Sequence, residues 1–164
     1  MRREGGEDQG MKEENDRLAQ VKRFSQASFC VECGRCVAVC PMADMYADFS
    51  IEMSPRGVIQ KTLRGGSKIL GDDNIWYCTE CNAGTDICPQ GVSCRDLIRG
   101  LREIVLEEHH EEKVSYCRCC GKSFLALPVE MFVLRRLKEE PPNVRALLEC
   151  CPSCRRLTYF QQNA

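Results

Sequence analysis

Four cysteines stand at short, regular intervals between positions 30 and 40. The run CVECGRCVAVCP contains them as Cys30, Cys33, Cys36 and Cys40, in the pattern C-x2-C-x2-C-x3-C-P. In such a run three thiolates can bind three corners of one cubane iron–sulfur cluster, while the fourth cysteine binds the other cluster of a pair. The pattern therefore predicts a partner motif farther along the chain.

A partner motif follows and ends, like the first, in Cys-Pro. It contains Cys78, Cys81 and Cys88, followed by Pro89. We expect a crossed arrangement, in which the last cysteine of each motif binds the cluster of the other motif. Cluster 1 is then bound by Cys30, Cys33, Cys36 and Cys88, and cluster 2 by Cys40, Cys78 and Cys81. Disulfides or buried free thiols would require neither this spacing nor the two Cys-Pro ends.

One ligand of cluster 2 is missing from the regular pattern. A third cysteine of the second motif would stand at position 84, which is occupied by Gly84. Cluster 2 is therefore expected to be a 3Fe-4S cluster with three ligands, or a 4Fe-4S cluster whose fourth iron has another ligand. The candidates for that ligand are Asp86, Thr85, Cys94 and solvent. A carboxylate is a harder ligand than a thiolate, so an iron bound by Asp86 would be more labile.

Six further cysteines form two groups near the carboxyl end, CRCCG and CCPSC. Taken as two C-x2-C pairs, they offer four metal ligands: Cys117, Cys120, Cys151 and Cys154. This is the donor set of a zinc ribbon, in which two tight turns present thiolates to one tetrahedral ion. A structural zinc site is the preferred interpretation, and a third iron–sulfur cluster is the alternative. Cys119 and Cys150 are left over.

Helical patterns surround the cysteine motifs, and no strand pattern is convincing between residues 18 and 112. One helix is expected to begin at Pro55 with Ser54 as its N-cap, and another near Ser93 with Asp96 completing a weak capping box. The second of these helices carries three arginines outside its apolar stripe, for which a solvated surface is expected: Arg95, Arg99 and Arg102. In the tail, Pro128 is expected to begin a helix that ends at Pro141-Pro142.

Apolar residues next to the cysteines are expected to keep water away from the clusters. The residues in question are Val31, Val37, Val39 and Ile87. Exclusion of water helps to set the reduction potential of a cluster. Trp76 directly precedes the second motif and is expected either to pack against cluster 2 or to be an ordinary core aromatic.

The composition restricts the classes of protein that the chain could be. It has 164 residues, 14 of them Cys, and a formal net charge of −1. That charge argues against nucleic-acid binding, which normally requires a basic patch. The first twenty residues lack the apolar segment of a signal peptide, and no apolar run approaches about 18 residues, so we expect a cytoplasmic protein without membrane insertion. Hydrolytic, phosphate-binding and dinucleotide motifs are also missing, so no catalytic residue is assigned.

The patterns divide the chain into three parts. Residues 1–17 are polar and rich in Gly and Glu, and are expected to be a disordered tail. Residues 18–112 contain both cluster motifs among helical patterns. Residues 113–164 form the Cys-rich module, which we expect to bind zinc.

Residues 24–108 together resemble the C-type iron–sulfur protein of heterodisulfide reductase. The resemblance rests on residues 30–41, 54–56, 75–81 and 88–92, and on the leucine-rich helix that follows them. It implies a mainly α-helical ferredoxin fold, to which the small zinc-ribbon-like module with four cysteine ligands is added. It also implies relay of single electrons between an A-like subunit, which carries flavin and clusters, and a catalytic B-like subunit. Gly84 departs from the pattern of that family.

Two other functions are compatible with the cysteine motifs. The first is the iron–sulfur subunit of a quinone-linked dehydrogenase of the fumarate reductase type, which would need a membrane anchor protein beside it. The second is a metal-dependent redox sensor whose zinc ribbon touches nucleic acid, although the near-neutral charge argues against this. A stand-alone enzyme is the least favoured class, because no substrate-binding chemistry is visible.

Overall fold

The computed structural model describes residues 7–107 and 111–162 of the chain. Two compact units divide between His110 and Glu111. Within the described residues, no helix combines the length and the apolar character needed to cross a bilayer. The first unit contains both cluster motifs, and the second contains the six cysteines of the tail.

The first unit is built from helices, and its described part contains no β-strand. The helices are α1 Glu7–Phe24, α2 Arg35–Ala38, α3 Met42–Met45, α4 Pro55–Gly65, α5 Asn74–Tyr77, α6 Ala83–Asp86 and α7 Cys94–Glu107. Short 3₁₀ turns occupy Ala27–Phe29 and Gly66–Gly71. This arrangement agrees with the mainly α-helical fold that the sequence predicts, in which two long helices support short cysteine-bearing segments.

Helix α1 begins well before the point that the sequence indicated. The disordered tail was expected to reach residue 17, but the structure has helix from Glu7 onward, while residues 1–6 lie outside the described residues. Leu18 is buried, and Gly100 of α7 approaches Val21 so closely that an added Cβ would lie 2.7 Å from that side chain. Arg17 also forms an ion pair with Glu107. Packing against α7 thus anchors the helix, and its polar amino-terminal turns extend from that anchored part.

Helix α4 begins and ends as the sequence predicts. Ser54 is its N-cap and accepts a hydrogen bond from the backbone N–H of Gly57 at 3.2 Å, with Pro55 in the first turn. Gly66 follows the last helical residue with a φ of 57°, a left-handed conformation that glycine adopts without strain. The buried face of α4 carries Val58 and Ile59. These contacts fix the helix that stands behind the first cysteine motif.

Gly57 should be intolerant of any side chain. A Cβ at this position would overlap the carbonyl oxygen of Ile51 and come within 2.6 Å of the carbonyl oxygen of Glu52. Because backbone atoms cannot move aside cheaply, we expect Gly57→Ala to lower the stability of the first unit by on the order of 3 kcal/mol. Urea unfolding followed by circular dichroism under anaerobic conditions measures this loss. Gly71→Ala is the control, since a Cβ there meets nothing within 4 Å; equal unfolding midpoints for the two variants would contradict the prediction.

Helix α7 carries the main apolar face of the first unit. Its predicted stripe is buried throughout: Leu97, Ile98, Leu101, Ile104 and Val105. The predicted capping box is also present, because the backbone N–H of Asp96 donates to Ser93 Oγ at 3.3 Å and that hydroxyl donates to Asp96 Oδ2 at 2.7 Å. The helix therefore has a fixed start directly after the second cysteine motif.

The second unit combines a two-stranded antiparallel sheet with three helices. The strands are β1 Val114–Tyr116 and β2 Ser123–Ala126, with Val114 opposite Ala126. The helices are α8 Leu127–Arg136, α9 Pro142–Ala146 and α10 Pro152–Gln162. The sequence placed the end of α8 at Pro141-Pro142, and this was wrong. The chain leaves α8 at Leu137 through a turn in which the N–H of Glu140 donates to the carbonyl of Leu137, and Pro142 begins the next helix.

Candidate iron–sulfur and metal sites

The four predicted ligands of cluster 1 line a single pocket. They reach it from both motifs: Cys30, Cys33, Cys36 and Cys88. Gly34 turns the first loop with a φ of 79°, so that the chain bends around the pocket between the second and third cysteines. The structure therefore brings Cys88, from the second motif, to three cysteines of the first, as the crossed arrangement requires.

A fifth thiol lies in the same pocket. Cys94, the first residue of α7, is buried, and its Sγ shares a hydrogen bond with Cys36. That hydrogen bond lowers the pKa of Cys36 to about 7 and raises the pKa of Cys94, which burial raises further. The sequence offered Cys94 as a fourth ligand of cluster 2, but the structure places it among the ligands of cluster 1.

Gly84 is buried beside the same thiols. A Cβ on Gly84 would lie 3.1 Å from Cys36 Cβ and 3.7 Å from Cys94 Sγ. The position at which the regular motif has a cysteine is thus filled by contact with the first motif and with α7. Of the other candidates for a fourth ligand, Thr85 Oγ1 accepts a hydrogen bond from the N–H of Arg95 at 3.4 Å, while Asp86 is exposed.

The three predicted ligands of cluster 2 also lie near one another. Burial raises the pKa of Cys78 to about 11, and the charges of Cys81 and Cys40 add to that rise. Burial likewise raises the pKa of Cys40, with a further contribution from Cys81. Mutual repulsion of this kind requires short separations. Bound iron would relieve it, because a coordinating thiol is deprotonated by the metal.

Hydrogen bonds to sulfur occur at both predicted clusters. The N–H of Val92 donates to Cys88 Sγ and that of Glu80 donates to Cys78 Sγ, both at 3.3 Å. Such donors stabilise thiolate charge and raise the reduction potential of a bound cluster. They can lie this close because each follows its cysteine within a tight turn.

Two glutamates occupy equivalent places in the two motifs, each directly before the second cysteine. Glu32 and Glu80 have φ values of 55° and 53°, a conformation that non-glycine residues rarely adopt. Glu32 pairs with Arg56 at 3.1 Å and Arg64 at 3.0 Å. Glu80 pairs with arginines of α7. The ion pairs hold each strained loop to a helix. The repeated Glu-Cys dipeptide is the signal in the sequence that could have revealed this arrangement.

Arg102 is buried beneath the second motif, and the prediction of a solvated position was wrong. Its guanidinium donates to the carbonyls of Ile75 at 2.8 Å and Cys78 at 2.6 Å, and pairs with Glu80 at 2.7 Å. It also lies 5.5 Å from the centre of the Trp76 ring, which is itself buried. Packing of α7 against α5 turns this face of the helix inward, so the arginine satisfies carbonyls that would otherwise lack donors.

Four cysteines of the second unit form a compact set of thiols. The Sγ atoms of Cys117, Cys120, Cys151 and Cys154 all lie within 4.8 Å of one another. Cys120 and Cys151 are 3.8 Å apart, which is about the edge of a tetrahedron with metal–sulfur bonds of about 2.3 Å. A cubane would hold its thiolates farther apart, since each binds a different corner. The set therefore fits a single tetrahedral ion.

The backbone prepares these thiols for a metal. Cys117 stands at the end of β1, where its N–H donates to the carbonyl of Lys122 at 2.8 Å and Gly121 turns the chain with a φ of 70°. The N–H of Cys151 donates to Cys117 Sγ at 3.2 Å, and this lowers the pKa of Cys117 to about 5. Since a metal binds the thiolate, a depressed pKa favours binding at neutral pH.

Comparison with known proteins supports the cluster sites. Residues 26–92 match the family model described as a 4Fe-4S dicluster domain. The chain is an iron–sulfur protein similar to the C-type protein of heterodisulfide reductase. The matched residues include both motifs and Gly84, whereas the six tail cysteines lie outside the match.

Two of the similar proteins are C-type iron–sulfur proteins of heterodisulfide reductases. The second such protein of the CoB–CoM heterodisulfide reductase of Methanocaldococcus jannaschii is 33% identical over 92 residues, covering 53% of this chain and 47% of that protein. Its counterpart in the ferredoxin:CoB–CoM heterodisulfide reductase of Methanosarcina acetivorans is 32% identical over 88 residues, covering 53% of this chain and 34% of that protein.

A fumarate reductase iron–sulfur subunit is also similar. The protein from Haemophilus influenzae is 29% identical over 82 residues, covering 45% of this chain and 32% of that protein. The chain thus spans about half the length, or less, of these curated relatives. The similarity to each of the three extends over about half of this chain.

The apolar residues around the dicluster motifs do not shield them as the sequence predicted. Val31 is 59% exposed, Ile87 is 38% exposed and Val39 is 37% exposed. Phe29, directly before Cys30, is 63% exposed. The motif loops are short and lie at the surface of the unit, so side chains that alternate with the cysteines point outward. The result is an apolar rim, consisting of Phe29, Val31, Val39 and Ile87, around the cluster ligands.

Arg102 should be needed to hold the second motif of the dicluster domain in place. Arg102→Gln leaves two buried carbonyls and Glu80 without their donor, so we expect a loss of about 3 kcal/mol in stability and faster release of iron to a chelator. Arg99→Gln is the matched control, because Arg99 pairs with the same glutamate at 3.1 Å but its side chain is 43% exposed. An exposed pair contributes no more than about 1 kcal/mol. Equal iron release from the two variants would refute the assignment.

Proposed function

We propose that this chain is the electron-transfer subunit of a heterodisulfide-reductase-like complex. Single electrons would pass through two iron–sulfur clusters, from an A-like subunit with flavin and clusters to a catalytic B-like subunit. The observation that carries the proposal is the pocket in which Cys88 of the second motif joins Cys30, Cys33 and Cys36 of the first. Two interlocked ligand sets hold two clusters close together, which is what a relay requires.

The ligand assignments belong to the same proposal. Cluster 1 would be a 4Fe-4S cluster on Cys30, Cys33, Cys36 and Cys88. Cluster 2 would be bound by Cys40, Cys78 and Cys81, either as a 3Fe-4S cluster or as a 4Fe-4S cluster with a fourth ligand other than cysteine. The burial of Gly84 against Cys36 supports a site with only three thiolates, because nothing larger than glycine fits there without displacing its neighbours.

The chain's own residues would tune and protect the relay. The clusters supply reversible one-electron chemistry at iron. The N–H groups of Val92 and Glu80 stabilise thiolate charge, and the ion pairs of Glu32 and Glu80 keep the loops from moving during electron transfer. The apolar rim suits a protein partner, because docking there would remove water from the ligands.

A kinetic assay tests the relay. The chain is reduced anaerobically and mixed with a purified B-like subunit, and cluster absorbance is followed in a stopped-flow instrument. We expect reoxidation that saturates with the concentration of the B-like subunit. A charged residue in place of Phe29 or Val31 should slow it at least tenfold without changing iron content. Reoxidation that is independent of the B-like subunit would refute the proposal.

A second candidate is the iron–sulfur subunit of a quinone-linked dehydrogenase. The similarity to the fumarate reductase subunit of Haemophilus influenzae favours it. Purification of the tagged chain from native cells distinguishes the two functions. Recovery with A-like and B-like subunits in the soluble fraction supports the first, and recovery with a membrane anchor protein supports the second.

For the tail we propose a structural zinc ion on Cys117, Cys120, Cys151 and Cys154. The separation of 3.8 Å between Cys120 and Cys151 supports one ion rather than a third cluster. Zinc would join the β1–β2 turn to the start of α10 and so make the second unit rigid. Metal analysis of the purified chain should give about one zinc per chain.

A further inference from the structure

Two thiols of the second unit lie next to the metal-binding set without belonging to it. Cys119 Sγ and Cys150 Sγ are only 2.8 Å apart. Cys119 is exposed and Cys150 is half-buried, so reagents in solvent can reach the pair. Each is the chain neighbour of a proposed zinc ligand, Cys120 in the first group and Cys151 in the second.

The backbone holds the two thiols opposite each other. One residue before the pair, the N–H of Arg118 donates to the carbonyl of Glu149 at 2.9 Å, and the side chains of these residues form an ion pair at 2.8 Å. On the other side, Arg155 Nε donates to the carbonyl of Cys150 at 2.8 Å. These bonds do not involve the thiols, so the two loops stay in register whatever the state of the sulfur atoms.

We propose that Cys119 and Cys150 form a redox-active dithiol that reduces a low-molecular-weight disulfide. The proposal rests on the zinc assignment for the other four cysteines, because bound metal withdraws those thiolates from exchange. It leaves one reactive pair at the surface of the unit. The separation of the two sulfurs needs to shorten by less than about 1 Å to reach the bond length of about 2.0 Å.

The exchange balances without a further reactant. One of the two thiols, as its thiolate, attacks one sulfur of the substrate R–S–S–R, and the first R–S⁻ leaves and takes up a proton. The second thiol then attacks the mixed disulfide, the Cys119–Cys150 bond forms, and the second R–S⁻ leaves and is protonated. Two electrons pass from the dithiol to the substrate, which yields two molecules of R–SH.

Glutathione disulfide serves as the probe for this reaction. The zinc- and cluster-loaded full chain is incubated with it anaerobically, the remaining thiols are alkylated, and the products are mapped by mass spectrometry. We expect one intramolecular disulfide, between Cys119 and Cys150, with the zinc content unchanged. In Cys119→Ser and Cys150→Ser the remaining thiol should carry glutathione, and this mixed disulfide should persist roughly tenfold longer than in the unsubstituted chain.

The control and the contrary outcomes are equally specific. Cys120→Ser should lose zinc and give scattered disulfides, whereas Cys119→Ser should keep its zinc. The proposal is overturned if Cys119 and Cys150 remain alkylatable after treatment, or if both carry glutathione without joining. It is also overturned if the pair is protected because a second metal ion binds it with Cys117, which lies within 4.8 Å of both sulfurs. In that case both serine variants would contain one metal ion fewer. None of these outcomes depends on the electron-relay proposal.

Discussion

Cys88→Ser should remove iron from both clusters, although the residue is a ligand of only one. Cys88 belongs to the second motif but lines the pocket of the first. Without it cluster 1 loses a ligand, and the loop that carries Cys78 and Cys81 loses its attachment to the first motif. We expect the iron content to fall from roughly seven or eight per chain to near zero. Iron and acid-labile sulfide analysis of anaerobically purified protein measures this fall.

The chain provides a closely matched control for Cys88→Ser. Cys94 lines the same pocket and is buried, but it is not among the proposed ligands. We expect Cys94→Ser to retain nearly all of its iron. If Cys88→Ser kept about half its iron, the two motifs would not be interlocked. If Cys94→Ser lost as much iron as Cys88→Ser, Cys94 would be a cluster ligand and the assignment of cluster 1 would be wrong.

Cys117→Ser should unfold the second unit and leave the first one folded. The described residues of the second unit bury few apolar side chains, among them Val114, Ala126 and Val129. So small a core cannot offset the loss of chain entropy, and a structural zinc can supply on the order of 10 kcal/mol of folding free energy. Hydrogen exchange should therefore become fast across residues 111–162 and stay slow in the helices of residues 7–107.

Cys119→Ser is the control for this experiment, since that thiol lies beside the site without being a proposed ligand. We expect normal zinc content and normal exchange for it. Slow exchange across β1, β2 and α8 in zinc-free Cys117→Ser would show that the unit folds without metal. Loss of protection in α4 and α7 in the same variant would show that the clusters depend on the tail.

Cysteine spacing predicted which thiols the fold brings together, because ligand sets of this kind are local patterns joined by one crossing. The stripe of α7 and the caps of α4 and α7 were likewise readable, since they depend on residues three or four positions apart. Arg102 was misplaced because its burial depends on the carbonyls of a segment 27 residues away, which no local pattern reveals. The position of Cys94 beside Cys36 is of the same kind.

Other differences have local causes that the sequence leaves ambiguous. Val31 and Ile87 are apolar, but the motif loops are too short to cover them, so they are exposed instead of shielding the clusters. Pro141-Pro142 marks a helix start as readily as a helix end, and here Pro142 begins α9. The pairing of Cys119 with Cys150 required the register of two loops that only the folded unit defines.

The central claim is that two interlocked cysteine sets hold two iron–sulfur clusters, with a zinc ion in the tail. The most direct test is a count of iron, acid-labile sulfide and zinc in anaerobically purified protein. The account predicts roughly seven or eight irons, a similar amount of sulfide and about one zinc per chain. About four irons would mean a single cluster and no relay, while more than about ten irons without zinc would make the tail a third cluster.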